Sequence, residues 1–328
     1  MRTSRATSQT RGSALLTVLW LSAALAAIAF SLSNTVLGET DRTSTAIDGL
    51  RCYYLASGAV QRCAMELFWD ASANPVKRRI PPGMPAVDYV FPSGNVRVEI
   101  IPESARLDVN FTTVPDLARL GVALGIEPEH ALEIAAAIDD WRRPAPQGSP
   151  FDQYYLSLTP SFRARHASLQ EIEELLLVKG VTPDLFYGTY VPSPAGEGPR
   201  LAPRGGLAEC LSVYGARDAV DANSAPPAVL AAVGLSPYAI SALVERRRMA
   251  PLTEQQLFAF LQSAGMAPGR LRAGGSSIVT IRATARLRLS DGRLSDLRRT
   301  VAAQVKYMQP GSDIPIHFLR WYDTAWSN

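Results

Sequence analysis

The side chains that could carry chemistry are few, and their spacing gives them little to do together. The three histidines, His130, His166 and His317, are scattered, and neither an H-E-x-x-H pair nor a paired-cysteine spacing is present to hold zinc. The sequence has no G-x-S-x-G elbow to present a nucleophilic serine and no P-loop to cradle a nucleotide. Asp139 and Asp140 are adjacent acids. Neighbours on a helix point about 100° apart, so a solvated helix end is expected there rather than a shared acid–base site. The residues therefore describe a protein that is not an enzyme and requires no cofactor. A net charge of +3 with 19% charged residues gives no strong push toward nucleic acid, and part of the excess sits at the N-terminus.

The more telling stretch carries no reactive group. From Gly12 to Leu32 the chain is apolar, with no charge between Arg11 and Glu39, and about 20 such residues cross the hydrocarbon core as a helix. Residues 13–33 are the expected span. The leader before it holds Arg2, Arg5 and Arg11 and no acid, so the N-terminus should stay cytoplasmic and the remainder be exported. A cleaved signal peptide shares the basic start. Against it stand a run longer than the about 7–15 residues of a signal core, the lack of a clear A-x-A exit, and a helical pattern that continues to Trp69. Small residues Ala23, Ala24, Ala26, Ala27 and Ala29 would let neighbouring helices approach closely.

Beyond the span, Leu50, Tyr53, Tyr54, Ala59, Val60, Leu67 and Phe68 recur at a spacing that suits an amphipathic continuation. Unbroken from Ser13, this helix would reach about 85 Å, a length useful as a stem that packs with other stems. Cys52 and Cys63 would lie about 16 Å apart on it, too far to bridge each other. A bridge from Cys210 to one of them is permitted in an oxidising compartment, but three free thiols are the preferred reading.

Residues 71–94 hold Pro75, Pro81, Pro82, Pro85 and Pro92 and read as a loop. Asn95–Ile101 alternates as a half-buried strand, and Ser104–Val109 continues extended. The β pattern resumes only at residue 276. There Val279, Ile281, Ala283, Ala285, Leu287 and Leu289 share one face, and Asp291-Gly292 signals a hairpin. Val301, Ala303, Val305 and Tyr307 should point inward on the return, and Ile316–Asp323 can add an edge strand.

Between those limits lies a helical insert with an internal repeat. Leu107–Arg143 can be laid on Val220–Arg248, pairing Asp108 with Asp221, Asn110 with Asn223, Leu117 with Leu230, Gly125 with Gly234 and Pro128 with Pro237. In each copy an Asn or a following Ser/Thr can cap a helix, a Gly closes it, and a Pro opens the next. Ala167–Phe186 offers a further helix ending in a Gly-Val-Thr-Pro turn, residues 191–206 a Pro/Gly-rich surface loop, Leu211–Tyr214 a short extended piece, Thr253–Leu261 a short helix and Ala273–Ser277 a hinge. The repeats are helix-hairpin-helix-like, yet their turns, GIEPEH and GLSPYA, lack the second glycine that holds phosphate, and the first carries Glu127 and Glu129. Arg246, Arg247 and Arg248 are expected to be a solvated helix face. Nucleic acid is disfavoured as a partner.

A glycine directly before a uniformly apolar helix, after a short basic leader, resembles the prepilin-peptidase site of type IV pilins and type II secretion pseudopilins. That resemblance implies cleavage between Gly12 and Ser13 and N-methylation of Ser13. Most members carry Glu where this sequence has Thr17, and the missing acid, with the stretches SARLDVN, AIDDWRRP, FDQYYLSLTPSFRARHASLQEIEELLLVKGVTPDLF and VDANSAPPAVLAAVGL, resembles the type II secretion minor pseudopilin K family. The resemblance spans nearly the entire chain. One departure is PAPQG after Trp141 and the arginines, where family members often run acidic.

What this implies is an α+β protein: a leader (1–12), an N-terminal helix (13–70), a pilin-like antiparallel sheet region (71–107 and 276–328), and a large inserted all-α domain of two SAM-like units (108–219 and 220–275). It would sit in the bacterial inner membrane, single-pass, with the C-terminal domain periplasmic, at the tip of a pseudopilus whose assembly it starts and whose growth it limits. Stem packing would fall to Thr17, Ala23, Ala24 and Ala27. The implied partners are minor pseudopilins I and J, the major pseudopilin and the prepilin peptidase. The resemblance also makes Ca2+ thinkable, with Asp291 and Asp296 beside a turn and its ligands unassigned. The alternative is a minor pilin of a type IV pilus or competence system with a DNA-contacting insert.

Overall fold

The computed structural model describes residues 10–72, 79–80, 83–192, 201–265, 269–308 and 313–325. Helix α1 (Thr10–Ser72) runs 63 residues without a break. From Ala14 to Ile47 its side chains are exposed among the described residues, while its C-terminal half buries Cys52, Ala56, Ala59, Val60, Cys63 and Ala64 at helical spacing. Leu50 and Tyr54, expected on that face, are exposed. The inward stripe is built of small side chains because the helix lies close against a sheet, and bulky residues fall outside it. Pro75, Pro81 and Pro82 lie outside the described residues.

Strands β1 (Ala86–Phe91) and β2 (Gly94–Pro102) follow as an antiparallel hairpin. The expected loop over 71–94 therefore contains a strand. Pro85 and Pro92 frame it, as a proline-bounded edge strand allows. A 3₁₀ turn, Glu103–Ala105, then interrupts the stretch expected to stay extended before β3 (Leu107–Asp108).

The insert continues with α2 (Val114–Ala123) and α3 (Pro128–Arg142). Thr113 caps α2, Gly125 takes a φ of +83° in the turn, and Pro128 opens α3. Next come α4 (Asp152–Ser157), a 3₁₀ helix (Ile172–Leu177) and α5 (Pro183–Tyr187). The helix expected to end in the Gly-Val-Thr-Pro turn is the 3₁₀ helix Ile172–Leu177; Gly180 takes a φ of +84° in that turn, and Pro183 opens the short α5 beyond it. Strands β4 (Thr189–Pro192) and β5 (Leu201–Arg204) pair where a surface loop was expected, with 193–200 outside the described residues. Then α6 (Leu207–Cys210) leads into β6 (Leu211–Ser212), which pairs parallel with β3.

A smaller unit repeats this course with β7 (Val220–Asp221), α7 (Pro227–Ala232), α8 (Pro237–Met249), α9 (Glu254–Ser263) and β8 (Leu271–Arg272). Ser236 caps α8, Thr253 forms a capping box with Gln256, and β8 pairs parallel with β7. Helix α2 packs on α7, so the two units share one apolar core.

The chain then returns to the first hairpin through β9 (Ile278–Leu287), β10 (Arg299–Tyr307) and β11 (Ile316–Tyr322), giving a five-stranded antiparallel sheet in the order β1-β2-β9-β10-β11. Val279, Ile281, Ala283, Ala285 and Leu287 face α1 together with Val301, Ala303 and Val305. Leu289, expected to extend that face, lies beyond the end of β9 and is exposed. This second core is separate from that of the insert.

Candidate functional site

The feature that sets this molecule apart is the bare half of α1. Leu15, Leu16, Val18, Leu19, Trp20, Leu21, Leu25, Ile28, Phe30, Leu32, Val36 and Leu37 are all exposed, a contiguous apolar surface far beyond that of an ordinary soluble chain. It is the one helix among the described residues long and apolar enough to cross a membrane. Its hydroxyls bond within the helix: Thr17 donates to Ala14 O at 2.8 Å, Ser22 to Leu19 O at 2.9 Å and Thr35 to Ser31 O at 2.9 Å. Each of these three hydroxyls thereby finds an acceptor inside its own helix, which suits a hydrocarbon surrounding. Ala23, Ala24 and Ala27 are exposed beside them. Gly12 and Ser13 fall inside the helical backbone of α1, with their side chains outside the described residues, as is the leader before Thr10.

Polar contacts tie the lower stem to the sheet. Tyr89 donates to Glu66 Oε2 at 2.6 Å, Arg62 and Arg79 ion-pair with the same carboxylate at 2.8 and 3.4 Å, and the Arg62 guanidinium sits 4.8 Å over the Tyr89 ring. Tyr307 donates to Ala64 O at 3.2 Å and Tyr53 to Asp323 at 2.7 Å. Burial raises the Tyr89 and Tyr307 phenols well above their ordinary value and pushes the Cys63 thiol up to about 12. All three cysteines are buried and free.

In the insert the repeated residues form matching clamps. Asn110 donates to Leu169 O at 3.0 Å and accepts from Leu169 N–H at 2.7 Å; Asn223 does the same to Leu252 at 3.0 and 2.8 Å. Asp108 and Asp221 accept from the N–H groups of Asn110 and Asn223. An arginine late in the second helix of each unit then grips the turn that carries the Asn. Arg142 donates to Val109 O and Thr112 O at 2.5 and 2.6 Å, and Arg247 to Ala222 O and Ala225 O at 2.9 and 2.7 Å. Of the two cap candidates the sequence offered in the first unit, Thr113 takes the role at α2, and the asparagines of both units are cross-links.

Two expectations change accordingly. Arg247 is turned inward onto Ala222 O and Ala225 O, so of the basic run expected to be a solvated face Arg246 and Arg248 face solvent. Asp139 and Asp140 are not a solvated helix end. Asp139 pairs with Arg142 at 2.6 Å and Arg143 at 2.9 Å, while Asp140 accepts from Ser149 at 2.5 Å and lies beside His166. Neither the arginine grips nor the His166 contacts follow from spacing, since each partner lies far along the chain. Among the described residues no three His, Cys, Asp or Glu side chains converge as a metal site. Asp291 accepts from Arg293 N–H, and the exposed Asp296 lies 3.6 Å from Arg286.

Residues 105–188 match the family described as type II secretion system protein K. The chain is 28% identical over 195 residues to type II secretion system protein K of Klebsiella pneumoniae, an alignment covering 54% of this chain and 60% of that relative. The chain thus spans less than two thirds of that protein. Its fold resembles a chain in the crystal structure of the GspK-GspI-GspJ complex from the enterotoxigenic Escherichia coli type 2 secretion system, with a TM-score of 0.56, 14% identity, and coverage of 87% of this chain and 100% of that one.

Proposed function

We propose that the chain is a type II secretion system protein K, to which its residues 105–188 and its likeness to the Klebsiella pneumoniae protein point, and that it acts as a minor pseudopilin at the tip of the periplasmic pseudopilus, starting assembly and limiting fibre growth. The observation that carries this reading is the bare apolar stem of α1, whose lower half packs into a head that bears a large extra domain. The stem packs among other stems in the inner membrane, with the N-terminus cytoplasmic and the head periplasmic. Ala23, Ala24 and Ala27 permit the close approach, and the uncharged Thr17 makes no demand for a neighbouring terminal amine. The insert, read as two SAM-like units, obstructs any subunit that would stack above it. The fold likeness to a chain of the GspK-GspI-GspJ complex supports minor pseudopilins I and J as partners, with the major pseudopilin and the prepilin peptidase completing the set. We assign no enzymatic activity and no required cofactor, and Ca2+ keeps no assigned ligands.

N-terminal mass spectrometry of the membrane-extracted protein tests the class. A mature chain beginning at methylated Ser13 is expected, and Gly12→Ala should retain the leader and stop secretion. An unchanged mature size in a strain with active prepilin peptidase would overturn the reading.

A further inference from the structure

His166 holds an arrangement that the proposed function does not use. It is the one non-glycine residue with positive φ among those described, at +47°, and its ring is drawn between two helix ends. Nδ1 lies 3.2 Å from the main-chain carbonyl oxygen of Asp140 at the end of α3, and Nε2 lies 2.9 Å from Asp152 Oδ1 at the start of α4. A carbonyl and a carboxylate both only accept, so a neutral imidazole, with one N–H, can satisfy just one of them. The second Asp140 oxygen, buried and without a hydrogen-bond partner, lies 3.9 Å from Nδ1.

We propose that His166 is an imidazolium latch that fastens the segment 144–167 onto the end of α3, and that this face of the insert loosens as rising pH removes the proton. The acids that face the ring are Asp140 from α3 and Asp152 from α4, and Arg163 on the ring's own segment acts on Asp152. The nearby cations of α3, Arg142 and Arg143, are taken up by Asp139. Beneath the latch Trp141, Tyr155 and Phe162 stack with centroids 5.4 to 6.3 Å apart, and Ala167 N–H donates to Trp141 O, so the segment has an apolar floor that persists when the latch opens. Burial works against the charged ring, but the bonds to Asp152 and Asp140 outweigh it and hold the folded pKa above 6.5. A group raised on folding contributes fully below its unfolded pKa and loses that contribution as pH climbs through the folded pKa.

Two measurements on the full chain in detergent test this. In NMR of histidine Cε1–Hε1 groups, one resonance should titrate with a midpoint above 6.5 and vanish in His166→Gln. In hydrogen exchange read by mass spectrometry and corrected for intrinsic rate, peptides covering 144–167 should lose protection across that midpoint while β9 and β10 stay constant. The loss should be about tenfold for each pH unit by which the midpoint exceeds 6.5. Both His166→Gln and Asp152→Asn should flatten that dependence, and unchanged protection of α2 and α7, which lie in the insert's own core, certifies their fold. A midpoint at or below 6.5, or an equal pH dependence in the variants, overturns the proposal.

Discussion

Replacing Arg142 with Met asks whether the paired clamps hold the insert together. The guanidinium is buried, donates to Val109 O and Thr112 O, and makes two contacts to Asp139 Oδ1 at 3.1 and 2.6 Å. Met fills most of the space of the arginine stem, so the loss is polar rather than a cavity. Two carbonyls lose charged donors, and Asp139 keeps only Arg143. Charged hydrogen bonds contribute about 1.5–3 kcal/mol each and an orphaned buried acceptor costs about 1–3 kcal/mol, from which relief of burying a charge is subtracted. The net cost is about 3 kcal/mol, on the order of a hundredfold faster exchange of the α2 and α3 amides in the full chain. Arg247→Met should cost less, about 1–2 kcal/mol, because Arg247 makes two carbonyl bonds with no carboxylate in ion-pair contact, and burial already depresses its pKa. Equal costs at the two sites, or an Arg142→Met variant whose α2 and α3 exchange is unchanged, would refute the clamp as the element that holds each unit.

Burial pushes the Cys63 and Cys210 thiols up to about 12 and raises that of Cys52. At pH 8 the folded chain should resist iodoacetamide at all three and take up three labels once denatured, and prompt labelling of the folded chain would contradict the packing of α1 on the sheet. Thr17→Glu places a carboxylate on the bare stem surface and should disturb tip placement; normal secretion with normal fibre length in that variant would remove the role given to the missing charge.

What the sequence reveals and what it hides divide along a physical line. Strand β9 is legible because one face must pack on α1 and the other is less covered, so Val279 to Leu287 alternate; in β10 Val301, Ala303 and Val305 face α1 as their spacing suggests, while Thr300, Ala302 and Gln304 between them are buried as well. The hairpins of the insert are legible because Thr113, Ser236, Gly125, Gly234, Pro128 and Pro237 act on backbone within a few residues of themselves. β1 is hidden by its flanking prolines, which suit an edge strand as well as a loop. The clamps are hidden for a different reason. Asn110 and Asn223 grip the main chain of Leu169 and Leu252, and Arg142 and Arg247 grip main-chain carbonyls, so nothing in the partner's side chain need match. A side chain that recognises backbone leaves its own type in the sequence but no trace of its target. That is why the Asp-x-Asn pairs are visible as a repeat while their cross-linking role is not. The latch at His166 is invisible on the same grounds, since one of its two acceptors is a carbonyl that any residue at position 140 would supply.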